Sequence, residues 1–395
     1  MQPRLALAPP RADFRVSVST LSAVLFITVC AFCTLYIPQP ILPLLAAQYG
    51  VSLTDSALLI SATLIPLGIA PLLYGYVTEA SSAQRVLLVS LLALAINQAF
   101  FLVVDSYWGL VALRLTQGLL LPAIFTALMT YSASMANVER VRNAVSYYIA
   151  ASILGGFTGR LSGGLAGQYL HWRWAFAFYA VLLVVCWWLA TRLPSDAKGE
   201  SGHSGLRAFR SVLTWPGYLY GFAGLLLVFS TYSSVLTLVP FRLKQLDPSI
   251  SEVTISLVYV GYLMGIVVAL LSTRLRAHLR SDVNGILVGT GVTVLGLVGL
   301  LIPDVAWIFV SMLAMSTGFF LVHAMLSAFL NHAAPHSKGV VNGLYLSFYY
   351  AGGALGAYLP GFVLRAQGWT IYVLVLCFFF AVGVVCLLGL RRIRA

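Results

Sequence analysis

The sequence predicts an all-α membrane protein with twelve transmembrane helices, arranged as two six-helix halves related by a pseudo-two-fold axis. Three observations predict it. Of the 395 residues, 60% are hydrophobic and only 9% charged, with a mean hydropathy of +0.94, more apolar side chain than a soluble core of this length needs. The apolar residues gather into twelve stretches, each near the roughly 20 residues that cross a hydrocarbon core about 30 Å thick. The second half of the chain also repeats features of the first at a nearly constant offset.

The twelve spans are 18–46, 55–78, 84–103, 107–131, 144–167, 172–191, 217–240, 252–271, 283–302, 306–330, 341–364 and 369–390. The first is too long for the apolar region of a signal peptide and runs straight into further spans, so it is read as an uncleaved helix. An even number of spans puts both ends on one side. Arg4, Arg11 and Arg15 precede the first span and Arg391, Arg392 and Arg394 follow the last, so both ends are expected in the cytoplasm. With that orientation, 17 of the 23 Lys and Arg fall inside, 4 fall outside (Arg173, Arg242, Lys244, Arg365), and Arg114 and Arg160 lie within spans. The net charge of +12 is therefore an expression of topology, and no nucleic-acid partner is expected.

The longest polar stretch between spans, 192–216, reads as a flexible cytoplasmic linker. It divides the chain into an N-terminal bundle, 1–191, and a C-terminal bundle, 217–395. An offset of 197 carries Pro43 to Pro240, Gly68 to Gly265, and Trp172 to Trp369. It also carries Gly155, Gly156, Gly159 and Gly164 to Gly352, Gly353, Gly356 and Gly361, while Gly118 and Gly318 stand 200 apart. Matches spread over several span pairs mark an internal repeat. Repeats of like orientation are related by an axis along the membrane normal, with a binding site between them near the midplane.

All five cysteines lie in apolar spans. Cys30 and Cys33 have C-x-x-C spacing, but no second pair or nearby histidine accompanies them, so they read as apolar packing. No metal and no cofactor is expected.

Arg114-Leu115-Thr116-Gln117-Gly118 matches the R-x-x-Q-G pattern of span 4 in the major facilitator superfamily. The run Gly155-Gly156-Phe157-Thr158-Gly159-Arg160-Leu161-Ser162-Gly163-Gly164 resembles that superfamily's span-5 antiporter motif, with Arg160 where a proline is usual. The G-G-x-x-G-R form, with Tyr36-Ile37-Pro38-Gln39-Pro40-Ile41-Leu42-Pro43 in span 1, resembles the YnfM-like efflux branch. The likeness extends over essentially the whole chain. It implies the twelve-helix fold, two rocking halves, and export in exchange for protons. The family's loop signature after span 2, G-x-x-x-D-R-x-G-R-R, survives here as Gly75, Glu79 and Arg85 alone. By resemblance these latch the halves on the cytoplasmic side, with Arg140 or Arg142 as partners of Glu79.

Arg114 lies seven residues from Tyr107 and Arg160 nine from Tyr169, so at 1.5 Å per residue they sit roughly 10 and 14 Å from the outer edge. A charge at that depth is costly and faces protein or water. All eleven acids map to loops or span ends, which leaves carbonyls, hydroxyls, ring faces, water or an anion as partners. Arg114 either ties span 4 to span 1, through Tyr36, Gln39 or backbone freed by Pro38, Pro40 and Pro43, or lines the cavity with Gln117 and attracts substrate. Arg160 shares a small-residue stripe with Ser152, Gly156, Gly159 and Gly163, and either holds a helix interface or touches substrate. His323 is the one intramembrane histidine and the candidate proton carrier, with Glu79 a peripheral alternative. Tyr345, Tyr349, Gly352 and Gly356 share a face of span 11, with Gly353 beside them, and Phe229, Tyr232, Phe319 and Phe320 are candidates to line the cavity.

The expected function is a multi-pass secondary transporter of a bacterial-type inner membrane, a monomer, exporting small amphipathic compounds or drugs in exchange for protons. The alternative is an organic-anion carrier or exchanger using Arg114 and Arg160 without proton coupling. No enzyme motif such as G-x-S-x-G or H-E-x-x-H is present.

Overall fold

The computed structural model describes residues 18–80, 82–133, 138–194, 212–333 and 338–390, which are helical almost throughout. The N-terminal helices are α1 (Val18–Tyr36), α2 (Leu42–Tyr49), α3 (Leu53–Ala80), α4 (Ala83–Phe100), α5 (Tyr107–Ala133), α6 (Val138–Tyr169) and α7 (Arg173–Ala190). The C-terminal ones are α8 (Pro216–Leu246), α9 (Glu252–Leu257), α10 (Met264–Leu279), α11 (Asp282–Gly299), α12 (Val305–Ala333), α13 (Lys338–Tyr358) and α14 (Pro360–Leu388). A tight 3₁₀ turn, Val258–Leu263, joins α9 to α10. Each expected span overlaps a helix, with bounds that differ.

Among the described residues, eight helical stretches are long and apolar enough to cross a membrane, or nine if α2 and α3, bent by 120°, count as one broken span. The helices outside that set include α6 and α13, which carry the two glycine-rich runs. Apolar side chains also cover the outside of the bundle, Val181, Leu295 and Val385 among them. That surface suits acyl chains, so the chain is a multi-pass membrane protein.

The first expected span, 18–46, is not one helix. Pro38 and Pro40 have no backbone N–H to continue the hydrogen-bond ladder, so α1 stops at Tyr36 and the chain restarts as α2. Gly50 closes α2 in the left-handed conformation (φ 62°), its N–H returning to Ala46 and Ala47. The eleventh span also ends early. Leu359 separates α13 from α14, and Gly368 (φ 76°) kinks α14 before its long apolar stretch. Side-chain caps start other helices: Ser82, Ser251 and Ser281 accept the N–H groups of Arg85, Thr254 and Asn284.

Two buried apolar clusters form, one mainly from each half, and each takes in residues of the other: Ala57 and Ile153 join the C-terminal cluster, Tyr350, Ala354 and Ala357 the N-terminal one. The linker residues 195–211 and both chain ends lie outside the described residues. The halves meet where α3 packs on α13 and α6 packs on α9 and α10. Ser61 Oγ donates to the Ala354 carbonyl (2.8 Å), and Glu252 N–H donates to Gln168 Oε1 (3.2 Å). Gly361 abuts Thr54, and Gly164 abuts Glu252 and Ser256. These contacts cluster toward the end of the bundle that the charge pattern predicts to face outward.

The repeat appears in the packing. A Cβ on Gly155 would stand 2.5 Å from the Val29 carbonyl oxygen, and one on Gly159 2.7 Å from Cys33 Cα. In the second half, a Cβ on Gly352 would stand 2.9 Å from Leu226 Cα, and one on Gly356 2.6 Å from Ser230 Cα. Both partners, like both glycines, are 197 residues apart. Gly163 extends the first stripe against Ile37, while Pro360 stands at the matching place in the second half. The stripe 155, 159, 163 thus brings α6 close to α1 inside one half. Gly156 instead faces across the halves, toward Tyr262, while Gly353 abuts Phe229 of its own half first and Leu64 of the other half next.

Candidate functional site

The break after α1 builds the first polar cluster. Pro38 cannot donate to the Thr34 carbonyl, and the Gln39 N–H turns to Tyr36 (3.2 Å), so the Leu35 carbonyl also loses its helical partner. Arg114 on α5 supplies the missing donors. Its Nη1 reaches the Thr34 carbonyl (3.1 Å), Nη2 the Leu35 carbonyl (2.5 Å) and Nε the Leu59 carbonyl of α3 (2.7 Å). Nη1 also donates to Gln117 Oε1 at 2.6 Å, and Gln117 Nε2 donates to Thr34 Oγ1 at 2.9 Å. Arg114 and Gln117 are both 0% exposed, and the bonds given for them go to α1, α3 and each other.

Arg160, also 0% exposed, makes the second cluster and joins the halves. Its Nε donates to Gln39 Oε1 (2.7 Å) and Nη1 to the Gly156 carbonyl (2.9 Å). Gln39 Nε2 then donates to Thr237 Oγ1 on α8 (3.1 Å). The guanidinium carbon lies 4.0 Å from the Tyr36 ring centroid, 4.5 Å from Tyr262 and 4.9 Å from Tyr259. In a 3₁₀ turn, side chains three apart eclipse one another. Val258–Leu263 therefore points Tyr259 and Tyr262 the same way, onto Arg160. Such a cage stabilises a cation through the negative faces of the rings. Nη2 is buried without a hydrogen-bond partner.

An aromatic run leads from this cage into the C-terminal half. Tyr262 meets Phe320 edge-on (5.1 Å), Phe320 meets Phe319 (5.4 Å), and Phe319 stacks on Tyr232 (4.0 Å) and Phe229 (5.5 Å). Phe229 stacks on Tyr349 at 3.6 Å, and His323 lies 5.1 Å from Tyr349. The Tyr345 hydroxyl is 2.8 Å from His323 Nδ1. The six expected residues Tyr36, Gln39, Arg160, Tyr345, Tyr349 and His323 thus fall along one path.

Gly156 adjoins the path through its carbonyl bond from Arg160, and Gly353 through Phe229, whereas the expected latch residues lie elsewhere. Arg85 is exposed on the first turn of α4. Gly75 and Glu79 lie on α3, but the side chains of that stretch, like those of Arg140 and Arg142, lie outside the described residues. Of the partners open to Arg114 on span 1, Tyr36, Gln39 or the freed backbone, it bonds the backbone, and Gln39 serves Arg160, because the turn after Pro38 carries it toward α6 and α8. The sequence reading passed over Thr237, Tyr259 and Tyr262. Their signal was three hydroxyls placed inside apolar spans, two of them as Tyr-x-x-Tyr.

The family model of the Major Facilitator Superfamily matches residues 24–357. The inner membrane transport protein YnfM of Escherichia coli (strain K12) is 27% identical over 362 residues, 90% of this chain and 85% of that one. The multidrug efflux protein YfmO of Bacillus subtilis (strain 168) is 24% identical over 352 residues, 86% of this chain and 85% of that one. A crystal structure of the nucleoside transporter NupG superposes with a TM-score of 0.73 at 15% identity, covering 94% of this chain and 99% of that one.

Proposed function

This chain belongs to the Major Facilitator Superfamily, and we propose that it exports small amphipathic organic compounds across a bacterial-type inner membrane in exchange for protons. The observation that carries this reading is a buried polar and aromatic site shared by both halves: Tyr36, Gln39 and Arg160 from one, Thr237, Tyr259 and Tyr262 from the other. A site assembled from two halves changes when the halves rock. It therefore couples occupancy to alternating access. The aromatic run beside it suits the flat, apolar part of a solute. The similar YfmO of Bacillus subtilis is a multidrug efflux protein, which supports export.

In this reading, Arg114 and Gln117 position α1 from behind, and His323 carries the proton beside the Tyr345 hydroxyl. Glu79 and Arg85 serve the cytoplasmic latch, and Gly156 and Gly353 let the halves close on each other. The chain works as a monomer with both ends in the cytoplasm, as a transporter rather than an enzyme.

The test is reconstitution into liposomes with an imposed pH gradient, following amphipathic dyes and internal pH together. Solute flux should run against proton flux. Flux that persists when the gradient is collapsed overturns proton exchange, and the absence of flux for every solute tried overturns the export reading.

A further inference from the structure

The Arg160 site is unfinished in a particular way. A guanidinium carries five N–H donors and accepts nothing. Here Nε and Nη1 have acceptors, while Nη2, with two donors, has none and is buried. Among the described residues no carboxylate pairs with Arg160; the ion pairs are those of Arg173, Lys244, Arg276 and His332. The three tyrosine rings compensate the charge from their faces but leave those donors idle.

The compensation is also conditional. Tyr259, Tyr262 and Thr237 belong to the half opposite Arg160. When the halves part, the guanidinium loses two of its three rings, and Gln39 loses Thr237. A desolvated cation without an acidic neighbour then requires an outside partner.

We infer that Arg160 is the anchor for an anionic group, a carboxylate or chemically similar oxyanion, carried by an aromatic solute. This deepens, and rests on, the reading of the chain as an organic-solute transporter. A carboxylate matches the planar fork of a guanidinium and takes the donors of Nη2. It also competes with Gln39 Oε1, the neutral acceptor that holds Nε at 2.7 Å. Gln39 is the group that bonds Thr237 across the halves at 3.1 Å. The charge that anchors the solute thereby loosens a tie between the halves, while Tyr36, Tyr262 and Phe320 receive its ring. Arg114 does not share this role, because its terminal nitrogens are already bonded to the Thr34 and Leu35 carbonyls.

Calorimetric titration of the detergent-solubilised full-length protein with 2-naphthoate and its neutral isostere 2-naphthamide tests the anchor. Wild type should bind naphthoate about tenfold or more tighter, the worth of one charge-assisted hydrogen bond. Arg160→Gln should erase that preference, and Arg160→Lys, which keeps the charge, should retain part of it. Equal affinity of wild type for the two probes overturns the inference, as does an undiminished preference in Arg160→Gln. If Arg160→Gln does not fold, a full preference in Arg160→Lys, whose ammonium lacks the planar fork, overturns it instead. Inorganic phosphate that binds as tightly as naphthoate overturns the aromatic part, as does competition by phosphatidylglycerol micelles at equal strength. Failure here leaves export of neutral amphipaths standing. Intact naphthoate discrimination with no flux in liposomes would sink the export reading instead.

Discussion

Gly159→Ala probes the closest approach of two helices in the N-terminal half. A Cβ at this position would lie 2.7 Å from Cys33 Cα and 2.8 Å from its carbonyl carbon, and nearer still to the carbonyl oxygen. Ordinary contact begins near 3.4 Å, so α6 would have to retreat from α1 by at least about 0.7 Å, and the obstacle is backbone rather than a side chain free to turn. Overpacking of this kind costs about 1–3 kcal/mol. Alanine also recovers up to about 1 kcal/mol of helix propensity, which would mask part of the cost. Gly343→Ala on α13 supplies the correction, because nothing lies within 4 Å of its Cβ position. The repeat supplies a replicate: Gly356→Ala would place its Cβ 2.6 Å from Ser230 Cα. Thermal unfolding in a single detergent should therefore rank Gly343→Ala at or above wild type and both Gly159→Ala and Gly356→Ala below it. The gap should correspond to about 1–3 kcal/mol. A Gly159→Ala protein that melts with Gly343→Ala would refute the claim that backbone contact forces glycine here.

Further outcomes follow from the two arginine clusters and the histidine. Arg114→Leu leaves the buried Thr34 and Leu35 carbonyls without their donors, while the Leu59 carbonyl keeps its place in the α3 ladder. At about 1–3 kcal/mol per orphaned group, it should lower the melting midpoint more than any single glycine variant. Gln39→Leu removes the acceptor of Arg160 and the donor to Thr237 together. It should weaken contact between the halves, seen as faster proteolysis or a shifted distance between labels on α3 and α13, with secondary structure unchanged. His323→Gln keeps a polar group beside the Tyr345 hydroxyl but cannot titrate near neutrality. Substrate-driven proton flux in liposomes should vanish while binding of amphipathic solutes persists, and persisting proton flux would remove His323 as the carrier.

Much of this was legible from composition and spacing. Long apolar stretches force helices, because lipid offers no partner for a free backbone N–H or C=O. The offset of 197 reported a doubled unit, and the doubled contacts Gly155–Val29 and Gly352–Leu226 have the same spacing. The break in the first span was readable in principle from Pro38 and Pro40, yet a sliding measure of apolarity runs straight across it. The glycine run was harder. Its residues look alike in sequence, but Gly159 and Gly163 face α1 while Gly156 faces Tyr262 of the other half. At 3.6 residues per turn these positions lie within about 60° of one another around the helix, so only packing tells them apart.

The sequence by itself determined that this protein lives in a membrane, that it is helical and doubled, and that two arginines lie where charge is costly. Those are consequences of local chemistry: apolar runs, proline and glycine punctuation, and the positions of charges. What it left open was which arginine does what, and the tertiary structure decided their partners. Arg114 completes backbone 80 residues away, where a proline has removed a donor, while Arg160 reaches Gln39 across 121 residues and keeps an idle nitrogen among three tyrosines. Hydrogen-bond partners so distant in the chain are chosen by how helices pack, and a single residue of rotation on α6 would have exchanged the buried polar face for the lipid one.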